Sequence, residues 1–162
     1  MIISKTGNLF DHIQGKPDAV QVVIHSCNAQ GVMGSGIAKT VKELYPSAFI
    51  AYTESLKQYH TGFQALGTVS SVLLDEFDDP VFIFNLVGQL RYGKDGKKYT
   101  SYDAIDAGLI EIDRQFSTLD IPIEFHFPSI GCGLGGGNWD VVSHIIAHRL
   151  NRNHYTLNHW SL

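Results

Sequence analysis

The sequence predicts an α/β domain whose central sheet is mixed but largely parallel, with helices on both faces. Three observations support this. Apolar runs typical of strands alternate with helical patterns along the 162 residues. Two of the runs, "AVQVVI" and "VFIFNLV", are almost continuously apolar, as expected for strands covered on both faces. Two glycine-rich segments each follow a buried strand and precede a helix, where open α/β sheets bind ligands.

The first half of the chain is predicted to contain two strands and two helices. "MIIS" is a short opening strand, and "AVQVVIHS" is the first buried strand. "SGIAKTVKELYP" is predicted to be a helix because Ile37, Val41 and Leu44 share one side, and Pro46 ends it. "SAFIAYTESLKQYH" is predicted to be a second helix, with Ser47 as its N-cap.

The second half is predicted to contain four strands and two helices. "GTVSSVLL" and "VFIFNLVG" flank the acidic turn "DEFDDP", and their antiparallel pairing would make the sheet mixed. The loop "QLRYGKDGKKY" leads to an amphipathic helix from Ser101 to about Ser117, with Ile105, Leu109 and Ile112 at helical spacing. "IEFHFPS" is a buried strand, "GCGLGGGN" a loop, "WDVVSHIIAHRLN" a helix and "HYTLNHW" a closing strand. The order of the strands stays open.

Length and composition indicate one globular domain spanning residues 1–162. The 44% of hydrophobic residues is ordinary for such a domain. A formal net charge of −4 argues against direct binding of nucleic acid, because phosphate binding requires clustered Lys and Arg. Lys94, Lys97 and Lys98 are interrupted by Asp95 and glycines, and this segment is interpreted as a solvated loop.

The sequence also predicts where in the cell the protein is located. No apolar run approaches the 18 residues expected of a membrane helix, so no membrane partner is expected. The N-terminal "MIISKTGNLFDH" lacks the charged and then apolar form of a signal peptide. Two cysteines without framework spacing favour a reducing compartment, and we expect a cytoplasmic protein.

The two glycine loops are the most informative feature. Gly31, Gly34 and Gly36 follow one strand, and residues 135–137 follow another. Glycine lets the backbone approach a ligand and turn its N–H groups toward an anion, while the helix N-terminus adds partial positive charge. Two such loops at one sheet edge would suit a diphosphate held without Lys or Arg. The alternative is a tight turn in one place and a surface loop in the other.

Three familiar phosphate motifs are excluded. Neither loop ends in Gly-Lys-Ser/Thr, which excludes a Walker loop. Gly131, Gly133 and Gly136 match the dinucleotide fingerprint, but no Asp or Glu follows Asp140 to bind a ribose. A cysteine phosphatase loop requires an Arg about six residues after the nucleophile.

The residue six positions after Cys27 is Met33, and the residue six positions after Cys132 is Asn138. The cysteine phosphatase motif is therefore absent as well. A zinc site built from His25 and the two cysteines lacks any local spacing signature. We therefore expect no metal and no cofactor.

The motifs "KTGNLFD", "HSCNAQGVMGSGIA", "FIFNLVGQ" and "PSIGCGLGGGNW" occur in order, before a terminal strand that ends in an aromatic residue and Leu162. In this combination the chain resembles the macrodomain. It is most similar to the branch that contains ADP-ribose 1″-phosphate phosphatases and terminal ADP-ribose-protein glycohydrolases. The resemblance covers most of the chain. It implies a three-layer α/β/α fold with ADP-ribose, its 1″-phosphate or ADP-ribosylated protein as partners.

The resemblance also implies site residues. Asn28 should hydrogen-bond the distal ribose, a role that suits an amide able to donate and accept. Residues of the two loops should hold the diphosphate and distal ribose: Gly34, Ser35, Gly36, Ile37, Ala38, Ser129, Ile130, Gly131, Cys132, Gly133, Leu134, Gly135 and Gly136. Asn8, Leu9, Trp160 and Leu162 should border the adenine, with Asn8 standing where many macrodomains carry an Asp. Edge-strand packing is the alternative role for Trp160.

The expected catalytic mechanism is inferred from the positions at which this chain differs from the family pattern. The glycohydrolase branch uses a Lys and an Asp where this chain has Gln89 and Gly135, so that mechanism is not expected. The phosphatase branch has a histidine at the position of His25. An imidazole with a pKa of about 6.5 can protonate a departing alkoxide or activate water. We therefore expect His25 and Asn28 to be catalytic, the alternative being that His25 is a hydrogen-bonded core residue.

Three functions follow. The first is hydrolysis of the phosphate of ADP-ribose 1″-phosphate to give ADP-ribose and phosphate. The second is removal of ADP-ribose from protein with other groups, such as Asp140 or His25. The third is non-catalytic recognition of ADP-ribose.

Overall fold

The computed structural model describes residues 1–162 as six strands and six helices. The strands are β1 (Ile2–Thr6), β2 (Val20–Asn28), β3 (Val69–Leu73), β4 (Val81–Gln89), β5 (Ile123–Phe127) and β6 (Tyr155–Ser161). The helices are α1 (Leu9–His12), α2 (Gly36–Leu44), α3 (Pro46–Leu56), α4 (Gly62–Ala65), α5 (Tyr102–Phe116) and α6 (Trp139–Arg149). No helix is long and apolar enough to cross a membrane.

Every predicted element is present, and the differences are two additional short helices and the bounds of some elements. The short helices α1 and α4 were not predicted. Ser47 is not an N-cap, because α3 begins one residue earlier at Pro46 with Tyr45 as its N-cap. Proline is favoured in the first turn, where its missing N–H would have no helical partner. Helix α3 also ends at Leu56, short of the predicted end.

The strand order is β1-β6-β5-β2-β4-β3. All neighbouring strands are parallel except β3 and β4, which pair antiparallel and confirm a mixed, largely parallel sheet. Strands β4 and β5 flank β2 on opposite sides, so the chain changes its direction of winding there. Open α/β sheets bind ligands beyond the carboxyl ends of the strands at such a point.

The core is divided between the two faces of the sheet. One cluster of 17 buried residues joins side chains such as Val22 and Ile24 of β2 to α5 and α6. A second cluster joins Val23 of the same strand to Val41 of α2 and Ala48 of α3. Alternate side chains of one strand thus pack on opposite layers, and the predicted three-layer α/β/α architecture is confirmed.

An irregularity at the carboxyl ends of β2 and β4 shapes the sheet edge. Cys27 is opposite Val87 but Asn28 is opposite Gln89, so Gly88 is an extra residue in β4. Its position accepts no side chain, because a Cβ would collide with the Ser26 hydroxyl. An extra residue of this kind redirects the side chain that follows it. Gln89 and Asn28 are thereby brought together at the edge.

Candidate ligand-binding site

A cavity of about 620 Å³ lies at the carboxyl ends of β5, β2 and β4. Its lining comes from the segments that follow these three neighbouring strands. The β2 side contributes Ser26, Cys27, Asn28, Val32, Gly34, Ser35, Gly36, Ile37 and Ala38. The other two sides contribute Gln89, Tyr92, Gly93, Lys94, Pro128, Ser129, Ile130, Gly131, Gly133, Leu134 and Gly135. The two glycine loops therefore meet across one cavity.

Most of the residues expected to hold the diphosphate and distal ribose line this cavity. Cys132 and Gly136 do not. The thiol of Cys132 donates to the carbonyl oxygen of Ile130 at 3.2 Å, and Gly136 packs against the backbone of Lys97. These two residues of the second loop face the protein rather than the cavity.

The residues expected to border the adenine lie outside the cavity, at the β1 and β6 end of the sheet. Asn8 caps α1 by accepting from the Phe10 N–H at 3.1 Å, and Leu9 is a buried core residue. Trp160 stacks on His12 with ring centroids 4.9 Å apart. The structure thus gives these residues packing and capping contacts, while Leu162 is fully exposed at the C-terminus.

Asn28 organises the first loop through its own side chain. Its Oδ1 accepts from the Gln30 N–H at 2.9 Å, and its Nδ2 donates to the Val32 carbonyl oxygen at 2.8 Å. The hydroxyl of buried Tyr52 donates to the Asn28 carbonyl oxygen at 2.6 Å and accepts from the Gly31 N–H at 3.1 Å. An amide nitrogen carries two protons, so Asn28 keeps one N–H for a ligand.

The first glycine loop presents unpaired backbone donors to the cavity. The N–H groups of Gly36, Ile37 and Ala38 belong to the first turn of α2 and have no partner within the helix. The N-cap residue Ser35 makes no side-chain capping bond to them. Nothing lies within 4 Å of the position a Cβ would take at Gly36. These donors and the helix dipole make an anion-binding surface.

The second loop is held rigidly. The Thr100 hydroxyl donates to the Gly131 carbonyl oxygen at 2.6 Å, and the N–H groups of Tyr99 and Thr100 donate to the Gly135 carbonyl oxygen at 2.8 and 3.0 Å. A Cβ at Gly135 would lie 2.5 Å from the Thr100 hydroxyl and 2.9 Å from the Gln89 Oε1. Gly135 therefore has no room for the acidic residue of the glycohydrolase branch.

The structure does not place His25 among the residues that line the cavity, so the geometry gives no support to its expected catalytic role. The residue is fully buried, and its Nε2 donates to the Oδ1 of Asn85 at 2.6 Å. Asn85 in turn donates to the Ala48 carbonyl oxygen at 3.0 Å, which ties the pair to α3. The residues of β2 that line the cavity are the three that follow His25, namely Ser26, Cys27 and Asn28. The burial and the hydrogen bond of His25 agree with the alternative interpretation, a core histidine.

Burial also sets the protonation of the residues around this core. It lowers the pKa of His25 to about 4, although the Asn85 hydrogen bond opposes the shift. Burial raises the pKa of the Cys27 thiol, which stays protonated at neutral pH and is a poor nucleophile. No group of three His, Cys, Asp or Glu side chains is arranged to hold a metal ion, the zinc set of His25, Cys27 and Cys132 included.

Two buried histidines predict acid sensitivity. Burial lowers the pKa of both His25 and His126 to about 4. Between pH 6.5 and 4 the unfolded chain binds more protons than the native state, so stability falls as the pH falls. We expect a loss of about 1.4 kcal/mol per pH unit for each histidine once the pH is below 6.5. Urea unfolding at pH 7, 6 and 5 measures this.

The variant His126→Gln should lose a large part of this pH dependence, because it removes one of the two histidines whose pKa burial lowers to about 4; burial also lowers the pKa of His159, which stays in place. His60→Ala, at an exposed histidine, serves as the control and should keep it. A free energy of unfolding that stays constant from pH 7 to pH 5 would show that both histidines titrate normally in the folded protein.

Sequence reasoning missed one wall of the cavity. Tyr92, Gly93 and Lys94 line it, although the loop after β4 was interpreted as solvated. The signal that could have found them is the position of this loop after an almost continuously apolar strand. That signal becomes specific only when β4 is known to be the neighbour of β2. Lys94 is the only ionised side chain among the lining residues, which include no Asp, Glu or His.

The comparisons with known proteins agree with this architecture. The family model of the Macro domain matches residues 24–146. The chain belongs to the macrodomain family. The solved structure of the macrodomain of Mycobacterium tuberculosis DarG superposes with a TM-score of 0.76 and 26% identity, over 100% of this chain and 98% of that one.

Two curated relatives carry different activities in their names. A DNA ADP-ribosyl glycohydrolase of Mycobacterium tuberculosis is 33% identical over 122 residues, which is 75% of this chain and 32% of the relative. The chain thus spans about a third of that protein's length. An ADP-ribose 1″-phosphate phosphatase of Debaryomyces hansenii is 24% identical over 161 residues, 86% of this chain and 89% of the relative. Both names describe hydrolysis of an ADP-ribose compound.

Proposed function

We propose that the cavity binds ADP-ribose and that the protein hydrolyses ADP-ribose 1″-phosphate to ADP-ribose and phosphate. The unpaired N–H groups of Gly36, Ile37 and Ala38 suit the diphosphate. The cavity volume of about 620 Å³ lies within the range of sites for ligands of this kind. The phosphatase relative of Debaryomyces hansenii matches 86% of this chain.

The sheet order supports an orientation for the ligand. The three strand ends that form the cavity lie in the order β5, β2, β4, and β6 lies beyond β5. If the adenine lies toward β6, where Trp160 stands, the distal ribose points toward Asn28 and the β4 loop. Asn28 has one N–H free for a ribose hydroxyl, and Gln89 stands opposite it. The group on C1″ would then meet the segment that contains Lys94.

The observation that carries the choice of reaction is the absence of Asp, Glu and His from the cavity lining. Cleavage of a glycosidic bond commonly uses a pair of carboxyl groups. Phosphoryl transfer instead depends mainly on positioning and on stabilising negative charge. In the proposed reaction the water oxygen bonds to phosphorus and the bond from phosphorus to the C1″ oxygen breaks. That oxygen takes up a proton from the water.

Removal of ADP-ribose from a modified macromolecule is the second candidate. It is favoured by the 33% identity to the mycobacterial DNA ADP-ribosyl glycohydrolase. Gln89 and Gly135 occupy the places of the Lys and Asp of the protein-glycohydrolase branch, and Gly135 cannot accommodate a side chain. That activity would therefore need another mechanism. A non-catalytic ADP-ribose reader is the remaining outcome of the test.

The test presents three substrates side by side: ADP-ribose 1″-phosphate, ADP-ribosylated protein and ADP-ribosylated DNA. Inorganic phosphate and free ADP-ribose are measured as products. We expect phosphate release from the first substrate, and no release in a Gly36→Glu control prepared in the same way. Free ADP-ribose from protein or DNA without phosphate release would favour the glycohydrolase. Binding of ADP-ribose with no product from any substrate would identify a reader.

A further inference from the structure

The loop between β4 and α5, residues 91–99, forms an ordered wall of the cavity. The Tyr99 hydroxyl donates to the carboxylate of Asp95 at 2.8 Å, and the Lys97 N–H donates to the same carboxylate at 3.2 Å. Gly93 packs so closely against Tyr99 that a Cβ on Gly93 would collide with the Tyr99 hydroxyl. The Tyr99 N–H also donates to the Gly135 carbonyl oxygen at 2.8 Å. The loop is therefore closed on itself and fastened to the second glycine loop.

The three lysines of this loop have different environments. The ammonium group of Lys97 lies 3.7 Å from the carboxylate of Asp95. That of Lys98 lies 4.0 Å from the centroid of the Tyr102 ring. Lys94 makes no ion pair and no side-chain hydrogen bond, and it alone of the three lines the cavity. The closed loop thus holds one unpaired cation at the site.

The position of Lys94 in the fold places it at one end of the cavity. Strand β4 is the last of the three strands in the order β5, β2, β4, on the side away from β6. Gln89, opposite Asn28 in the register, begins the segment that leads to Tyr92 and Lys94. With the distal ribose at Asn28, its C1″ substituent is the part of the ligand nearest this segment.

Resting on the proposed function, we propose that Lys94 is the specificity-determining residue of the site and binds the 1″-phosphate. An ammonium group is a compact cation that binds phosphate well. The rest of the lining offers no other full positive charge. Because free ADP-ribose lacks the terminal phosphate, Lys94 favours substrate over product and contributes little to binding of the diphosphate.

The test compares Lys94→Gln with Lys97→Gln and Lys98→Gln, which remove the same charge from the same loop away from the cavity. We expect Lys94→Gln to lower kcat/KM for ADP-ribose 1″-phosphate by about 10-fold or more. The Kd of ADP-ribose should change less than about 3-fold. The two control variants should stay close to the original protein, and Lys94→Arg should keep much of the activity.

Binding data separate this proposal from the proposed function. The ratio of the Kd values of ADP-ribose and ADP-ribose 1″-phosphate is measured by calorimetry for each variant. If the original protein releases no phosphate but this ratio falls in Lys94→Gln alone, the phosphatase function fails and the role of Lys94 stands. If Lys94→Gln keeps the original ratio and kcat/KM, or if Lys97→Gln lowers them equally, Lys94 is not the phosphate-binding residue.

Discussion

We expect Gly36→Glu to lower the affinity for ADP-ribose by about 100-fold or more while the domain remains folded. Gly36 is the first residue of α2, and its N–H belongs to the unpaired first turn that faces the cavity. A side chain at this position meets no protein atom within 4 Å, so the carboxylate would extend into open space at the site. There it would repel the diphosphate. Calorimetry with ADP-ribose measures the effect.

The control for this variant is Gly36→Gln. Gly36 has a φ of +58°, a conformation in which any side chain is strained by roughly 1–2 kcal/mol. Glutamine imposes the same strain and nearly the same bulk without the charge, so the difference between the two variants measures electrostatic repulsion. A Gly36→Glu protein that unfolds normally on heating and binds ADP-ribose with unchanged affinity would place the ligand elsewhere.

We expect His25→Ala to destabilise the protein by about 2–5 kcal/mol without abolishing turnover. His25 and Asn85 are both fully buried and joined at 2.6 Å, so the substitution leaves a cavity and an unpaired amide oxygen. The imidazole does not line the cavity, so kcat should change less than about 10-fold, well below the effect typical of a lost general acid or base. Urea unfolding and phosphate release at low temperature measure the two quantities.

His25→Gln provides the comparison for this prediction. Its amide can donate to Asn85 Oδ1 and should recover part of the lost stability. A His25→Ala protein that keeps its full stability and loses turnover by about 100-fold or more would return His25 to the role predicted from the sequence. In that case the ligand would have to reach the buried imidazole inside the sheet.

The strands and helices followed from the sequence because their signals are local. The apolar run before His25 and the helical spacing of Ile105, Leu109 and Ile112 each fix one element without reference to the rest of the chain. The two glycine loops were also correctly placed at one edge of the sheet. The carboxyl ends of parallel strands share an edge in any strand order, so this inference needed no topology.

Other properties of the site depended on which elements are neighbours. Lys94 belongs to the cavity only because β4 pairs with β2, and strand order is set by packing between distant segments. The lack of space at Gly135 results in part from Thr100 and Gln89, which come from other parts of the chain, and in part from the Gly131 carbonyl oxygen of its own loop.

The sequence by itself determined that two glycine loops would meet at the edge of a mixed α/β sheet, and it identified most of the backbone that lines the cavity. Only the tertiary structure decided which side chains reach that cavity. A histidine at the end of a strand can be catalytic or structural, and the sequence is the same in both cases. In this protein Asn85 from β4 accepts a hydrogen bond from His25 inside the core, and Asn85 is itself held by the Ala48 carbonyl oxygen from α3. A buried imidazole is stable where its polar atoms are paired, so the contacts of neighbouring elements fix its role.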